Sequence, residues 1–166
     1  MKAIHQLRAF EQILNSYDGT LPLHRFLPAY FKQNKQMGSS DRRWATRHLY
    51  SFFRLGNALR ILNNEERLCI ADFLCQETLS PVVAQKFPDW SDHILLPLPE
   101  KINFIKRLYP DFNQDDVYPL HLHLSEEVNR TEFLTSFFKQ PDLFIRVHAT
   151  DQQEIIDRLQ KAEIPA

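Results

Sequence analysis

The sequence predicts a mainly α-helical chain: a helical bundle, then the first β-α unit of an incomplete α/β subdomain. Three observations lead there. Apolar residues recur at three- to four-residue spacing through most of the chain. Pro, Gly, Ser, Asn and Asp punctuate these stretches where helices start and stop. Near the C-terminal end, Leu143-Phe144-Ile145-Arg146-Val147 has the apolar and β-branched content of a short strand.

The elements follow in order. A first helix is expected over about residues 2–15, with Ala3, Leu7, Phe10 and Leu14 as its apolar stripe. Gly19 suits a left-handed cap behind it. Pro22 fits the first turn of a second helix, with Leu23, Phe26, Leu27, Tyr30 and Phe31 facing inward and Pro28 placed to kink it. After a turn at residues 36–41, with Ser39, Ser40 or Asp41 as N-cap, a long helix is expected over about residues 42–62. Asn63-Asn64 breaks it. Glu65 and Glu66 open the next, to about Leu79, with Leu68, Ala71, Cys75 and Leu79 on one side. Ser80-Pro81 restarts a short helix to Phe87. Residues 88–99 hold three prolines and read as irregular. A helix over 101–109 stops at Pro110, residues 118–124 alternate as an extended segment would, and Ser125 or Thr131 caps a helix ending near Lys139. After the strand, Thr150 or Asp151 caps a helix carrying Ile155, Ile156 and Leu159. One strand and one helix do not make a stable sheet, so residues 139–166 read as the opening of a second unit behind a bundle spanning 1–138.

With 166 residues, 43% hydrophobic and 25% charged, the composition is globular. No apolar run approaches the ~20 residues of a membrane helix, and the N-terminus lacks the apolar core of a signal peptide. The expectation is a cytoplasmic protein with no membrane partner. Cys69 and Cys75 lie six positions apart on one helix, roughly 9 Å along its axis. A disulfide tolerates at most about 7 Å between Cα atoms, so both read as free, buried thiols.

Charge is unevenly placed. Residues 24–60 carry eight basic side chains against the single acid Asp41, a net of +7. Beyond Arg60 there are 10 basic and 18 acidic residues, a net of −8. A basic front precedes an acidic rear.

Several chemistries are excluded or left unmarked. Gly19, Gly38 and Gly56 are the only glycines and fall in different elements, so no Gly-rich phosphate or nucleotide loop can be built. His121 and His123 would share one side of a strand, but no nearby Cys completes a zinc set, and no metal is expected. The acid pairs Asp115/Asp116 and Glu126/Glu127 read as helix-end residues. No catalytic residue is assigned.

The helix after Gly38 differs. At 100° per residue, Arg43, Arg47, Tyr50 and Arg54 lie within about 60° of one another, opposite Ala45, Leu49, Phe52, Gly56 and Leu59. Lys32, Lys35 and Arg42 lie nearby in sequence. Arginine suits bidentate phosphate contact, and tyrosine adds a stacking surface. The alternative is a solvated basic face, or one paired with the acidic rear.

Residues 30–43, closing on Asp41-Arg42-Arg43, and then Leu49-Tyr50-Ser51-Phe52-Phe53-Arg54 resemble the N-terminal region of the Sun/Fmu family. These are S-adenosylmethionine-dependent RNA cytosine-C5 methyltransferases. Pro141-Asp142-Leu143-Phe144-Ile145-Arg146-Val147 resembles the strand that opens that family's small α/β RNA-binding subdomain. The resemblance implies a NusB-like helical bundle, followed by the start of that subdomain. The family's methyl-donor loop and two catalytic cysteines lie further on, so Cys69 and Cys75 do not correspond to them. This chain is then expected to hold no cofactor itself, and S-adenosylmethionine belongs to the C-terminal catalytic domain. The implied role is docking of RNA, as rRNA, by Lys32, Lys35, Arg42, Arg43, Arg47, Tyr50 and Arg54, with Arg146 adding a contact from the second unit. Two rival readings stand beside it. One is a protein-interaction module with an exposed apolar patch at Phe137-Phe138. The other is a scaffold whose arginines are occupied by Glu65, Glu66 or Asp72.

Overall fold

The computed structural model describes residues 3–118, 124–140 and 152–161. These residues are mainly helical and include no β-strand. The helices are α1 (Ala3–Ser16), α2 (Leu23–Gln33), α3 (Ser39–Arg54), α4 (Asn64–Cys75), α5 (Pro81–Lys86), α6 (Leu98–Leu108), α7 (Arg130–Ser136) and α8 (Gln152–Lys161), with 3-10 segments at Pro88–His93 and Gln114–Val117. No helix among the described residues is long and apolar enough to cross a membrane. The expected strand at 143–147, its Arg146, the cap at Thr150 or Asp151 and the His121/His123 pair all lie outside the described residues.

α4 is the axis of the bundle. It packs against α3, α5 and α6, while α1 lies on α3 and α5. The expectation that α4 buries one side is wrong: Leu68 through Leu74 are buried without a break, because neighbours cover it all round. A continuous buried run includes one acid, Asp72, 1% exposed. A charge taken out of water needs a partner, and that requirement shapes the basic face of α3. α4 also ends at Cys75 rather than near Leu79.

Two apolar clusters hold the bundle. Phe10, Ile13, Leu27, Ala45, Leu49, Phe52 and Leu68 join α1 to α4. Leu55, Ile70, Phe73, Val83, Trp90, Ile105 and Phe138 belong to the second, around the rest of α4. Complete burial of a side chain such as Phe10 or Phe73 stabilises by about 1.5–3 kcal/mol relative to exposure. Phe10 meets Phe52 edge-on at 5.2 Å between centroids. The α1 stripe is rotated from its expected position, with Gln6 and Ile13 buried beside Phe10 and with Ala3, Leu7 and Leu14 only half-buried. Phe138 is a core residue and Phe137 stacks on Tyr118, so the expected exposed patch at Phe137-Phe138 does not exist.

Local signals explain most boundaries. Gly19 takes φ +77°, the left-handed conformation expected of it. Pro22 is the N-cap of α2, and the helix continues through Pro28. Asn63, Ser80 and Asn129 accept from backbone N–H groups at the starts of α4, α5 and α7. For α7, Asn129 takes the place expected of Ser125 or Thr131. α3 starts earlier than expected, with Gly38 as N-cap, because the Asp41 carboxylate turns back to accept from the Gly38 N–H at 3.0 Å.

The end of α3 is the largest departure from the sequence reading, which ran the helix to residue 62. It stops at Arg54. Gly56 then takes φ +57° and Leu59 φ +54°. A Cβ on Gly56 would lie 1.9 Å from the Val117 carbonyl oxygen, so only glycine lets the 3-10 segment at 114–117 approach. The Asn57 N–H donates to the Asp116 carbonyl at 2.8 Å across this contact. Arg67 of α4 closes the turn, donating to the Gly56 carbonyl at 2.6 Å with its guanidinium over the Phe52 ring.

A basic groove along α3

One face of α3 forms the wall of an open groove of about 740 Å³. Arg42, Arg43, Thr46, Arg47, Tyr50 and Arg54 line it from the helix, joined by Ser51. Gln76, just past α4, and Gln140, just past α7, line it as well. The helical period thus brings together Arg43, Arg47, Tyr50 and Arg54, as expected from the sequence, and Arg42 joins them from the start of the helix. Lys32 and Lys35, at and just past the end of α2, are exposed but do not line the groove.

The arginines are not equivalent. Arg42 donates from Nε to the Met37 carbonyl at 2.9 Å and lies over the Phe31 ring, so its stem is fixed at the helix start. Arg43 is exposed and has no hydrogen-bond or ion-pair partner among the described residues. Arg47 is bidentate to Asp72, with Nε and one terminal nitrogen each 2.9 Å from a carboxylate oxygen. The same terminal nitrogen donates to the Thr78 carbonyl at 2.6 Å, and the guanidinium stacks over Trp44. Arg54 donates to Gln140 Oε1 at 2.9 Å.

Arg47 is therefore the counter-charge of buried Asp72, the occupied arrangement that the scaffold alternative expected at this position. Of the three acids considered as occupants, Asp72 is the one that reaches the arginine face. Glu65 pairs with Lys86 at 3.2 Å, and Glu66 accepts from Asn63 at 3.0 Å.

Behind this face sits His48, fully buried, with neither ring nitrogen hydrogen-bonded among the described residues. Burial lowers its pKa from 6.5 to about 4; Asp72 opposes that shift and Arg47 adds to it. The imidazole is neutral at pH 7. The sequence reading missed His48 and Ser51 as buried polar positions. They flank the apolar arc of α3, and only their angles on the helical wheel hinted at burial.

Cys69 and Cys75 are free, and burial pushes both thiols up to about 12. Thiols raised this far are little ionised at neutral pH. Gln76 and Gln140 went unnoticed in the sequence because nothing in one-dimensional spacing joins them to α3, whereas Thr46, on α3 itself, lies beside Tyr50 on the helical wheel and could have been found there.

The groove thus offers guanidinium donors at its ends, one exposed aromatic ring, and side-chain amides and hydroxyls between them. Comparisons with protein-family profiles, with characterised proteins and with solved structures give no match to this chain.

Proposed function

We propose that the α3 groove docks RNA through its phosphate backbone. The observation that carries this reading is the convergence of Arg42, Arg43 and Arg54 with exposed Tyr50 on one concave wall, within a segment of net charge +7. Guanidinium groups hold phosphate oxygens with fixed geometry, and phosphate contacts supply affinity and orientation rather than sequence choice. Lys32 and Lys35 extend the basic surface beyond the groove. Arg47 keeps Asp72 neutralised and the wall in place.

The wider reading rests on the sequence resemblance. In it, residues 1–138 are a NusB-like docking bundle, and residues from 139 open a small α/β subdomain that brings Arg146 to the RNA. Together they serve as the N-terminal region of a cytoplasmic rRNA cytosine-C5 methyltransferase of the Sun/Fmu family. S-adenosylmethionine and the catalytic cysteines belong to the C-terminal catalytic domain. One observation favours the scaffold alternative at a single position: the Arg47–Asp72 pair is structural.

The test is fluorescence anisotropy of a labelled rRNA fragment against the chain across a salt series, beside Arg43→Glu/Arg54→Glu. Binding should weaken steeply with salt and be lost in the variant. Equal binding by a folded variant would remove the docking role from this face.

A further inference from the structure

Resting on the docking reading, we infer that the groove receives an unpaired nucleotide, so that the substrate class is looped or single-stranded RNA rather than duplex. Tyr50 lies midway along the arginine wall, is 38% exposed, and makes no hydrogen bond among the described residues. Among the described residues it is the one aromatic ring lining the cavity. A part-exposed ring in a groove can stack with a nucleobase, and every base has a face to stack on it.

The rest of the groove suits a base edge. Gln76 and Ser51 sit together, with Gln76 Nε2 3.4 Å from Ser51 Oγ. Gln140 reaches the same space, held by Arg54. Amides and hydroxyls there both donate and accept, as Watson–Crick edges require. The pairing of Arg47 with Asp72 removes a net charge from the middle of the wall and leaves the stronger fields at Arg42/Arg43 and at Arg54. Phosphates on either side of a splayed nucleotide fit that distribution. A duplex fits poorly: an A-form helix is convex, its deep groove is closed to side chains, and its bases are stacked away from any receptor.

The experiment compares three labelled RNAs of equal length: a hairpin with an unpaired loop, a blunt duplex and an unstructured single strand. Each is titrated with the whole chain and with Tyr50→Ala, Tyr50→Phe and Arg43→Glu/Arg54→Glu. The loop and the single strand should bind at least about tenfold more tightly than the duplex. Tyr50→Ala should weaken them by about 5- to 150-fold, the range for loss of one base–aromatic stack, and Tyr50→Phe should restore most of the loss. Equal binding of all three RNAs, with Tyr50→Ala neutral and the arginine variant still defective, would overturn the unpaired-nucleotide inference and leave docking intact. Binding by none, or equal binding by the arginine variant, would overturn both.

Discussion

At the C-terminal end of α4, cations meet fixed partners. Arg47 from α3 closes on the Asp72 carboxylate and the Thr78 carbonyl. Lys101 from α6, 4% exposed, donates to the Phe73 and Gln76 carbonyls at 3.2 and 2.6 Å. On the outer side of α3, one turn before Arg47, Arg43 meets no such partner among the described residues. The two regions are built from the same residue types on adjoining surface. What separates them is the buried run of α4, which carries one acid and exposes terminal carbonyls that demand donors. A basic helical face is therefore not one functional unit. Part of it answers the needs of the core, and the remainder is available to a ligand.

The sharpest way to break this distinction is Arg47→Met. It leaves Asp72 buried without a counter-charge, and stability should fall by about 3–5 kcal/mol, read as a lower urea midpoint. A loss below about 1 kcal/mol would show that Asp72 does not need Arg47.

Gly56→Ala tests the turn that ends α3 and holds Arg54 at the rim of the groove. A left-handed backbone with a side chain costs about 1–3 kcal/mol, and the overlap with Val117 adds to it. A thermal midpoint equal to wild type would contradict the close approach of residues 114–117.

His48 gives a pH-dependent view of the same wall. Its folded pKa of about 4 lies below its ordinary 6.5, so the unfolded chain takes up the proton first. The stability that the neutral imidazole allows is complete above about pH 6.5 and is lost as pH falls toward 4, by up to about 3 kcal/mol. His48→Met should flatten that part of the stability–pH curve in urea titrations at pH 7, 5.5 and 4.5. An unchanged curve would mean that the ring is solvated or paired.

Much of this fold is written in local patterns. The starts of α2, α4 and α5 follow Pro22, Asn63 and Ser80, and the turn after α1 follows Gly19, because caps and left-handed turns act over a few residues. The arginine face was visible because a helix repeats every 3.6 residues. The end of α3 was hidden, since Gly56 is required by Val117, 61 positions away. The all-round burial of α4 was hidden too: one polar residue in a run of apolar ones reads as the edge of an amphipathic face. The division of labour between Arg43 and Arg47 was equally out of reach, because Asp72 approaches from another helix.

The most direct test counts phosphate contacts. The slope of log affinity against log salt should drop by about 0.7–0.9 for each contact removed. Arg43→Met should leave stability within about 0.5 kcal/mol of wild type and lower the slope by about that amount. Arg47→Met, measured where it remains folded, should leave the slope unchanged. Equal drops for the two variants, or none for Arg43→Met, would contradict the separation of structural from docking arginines on α3.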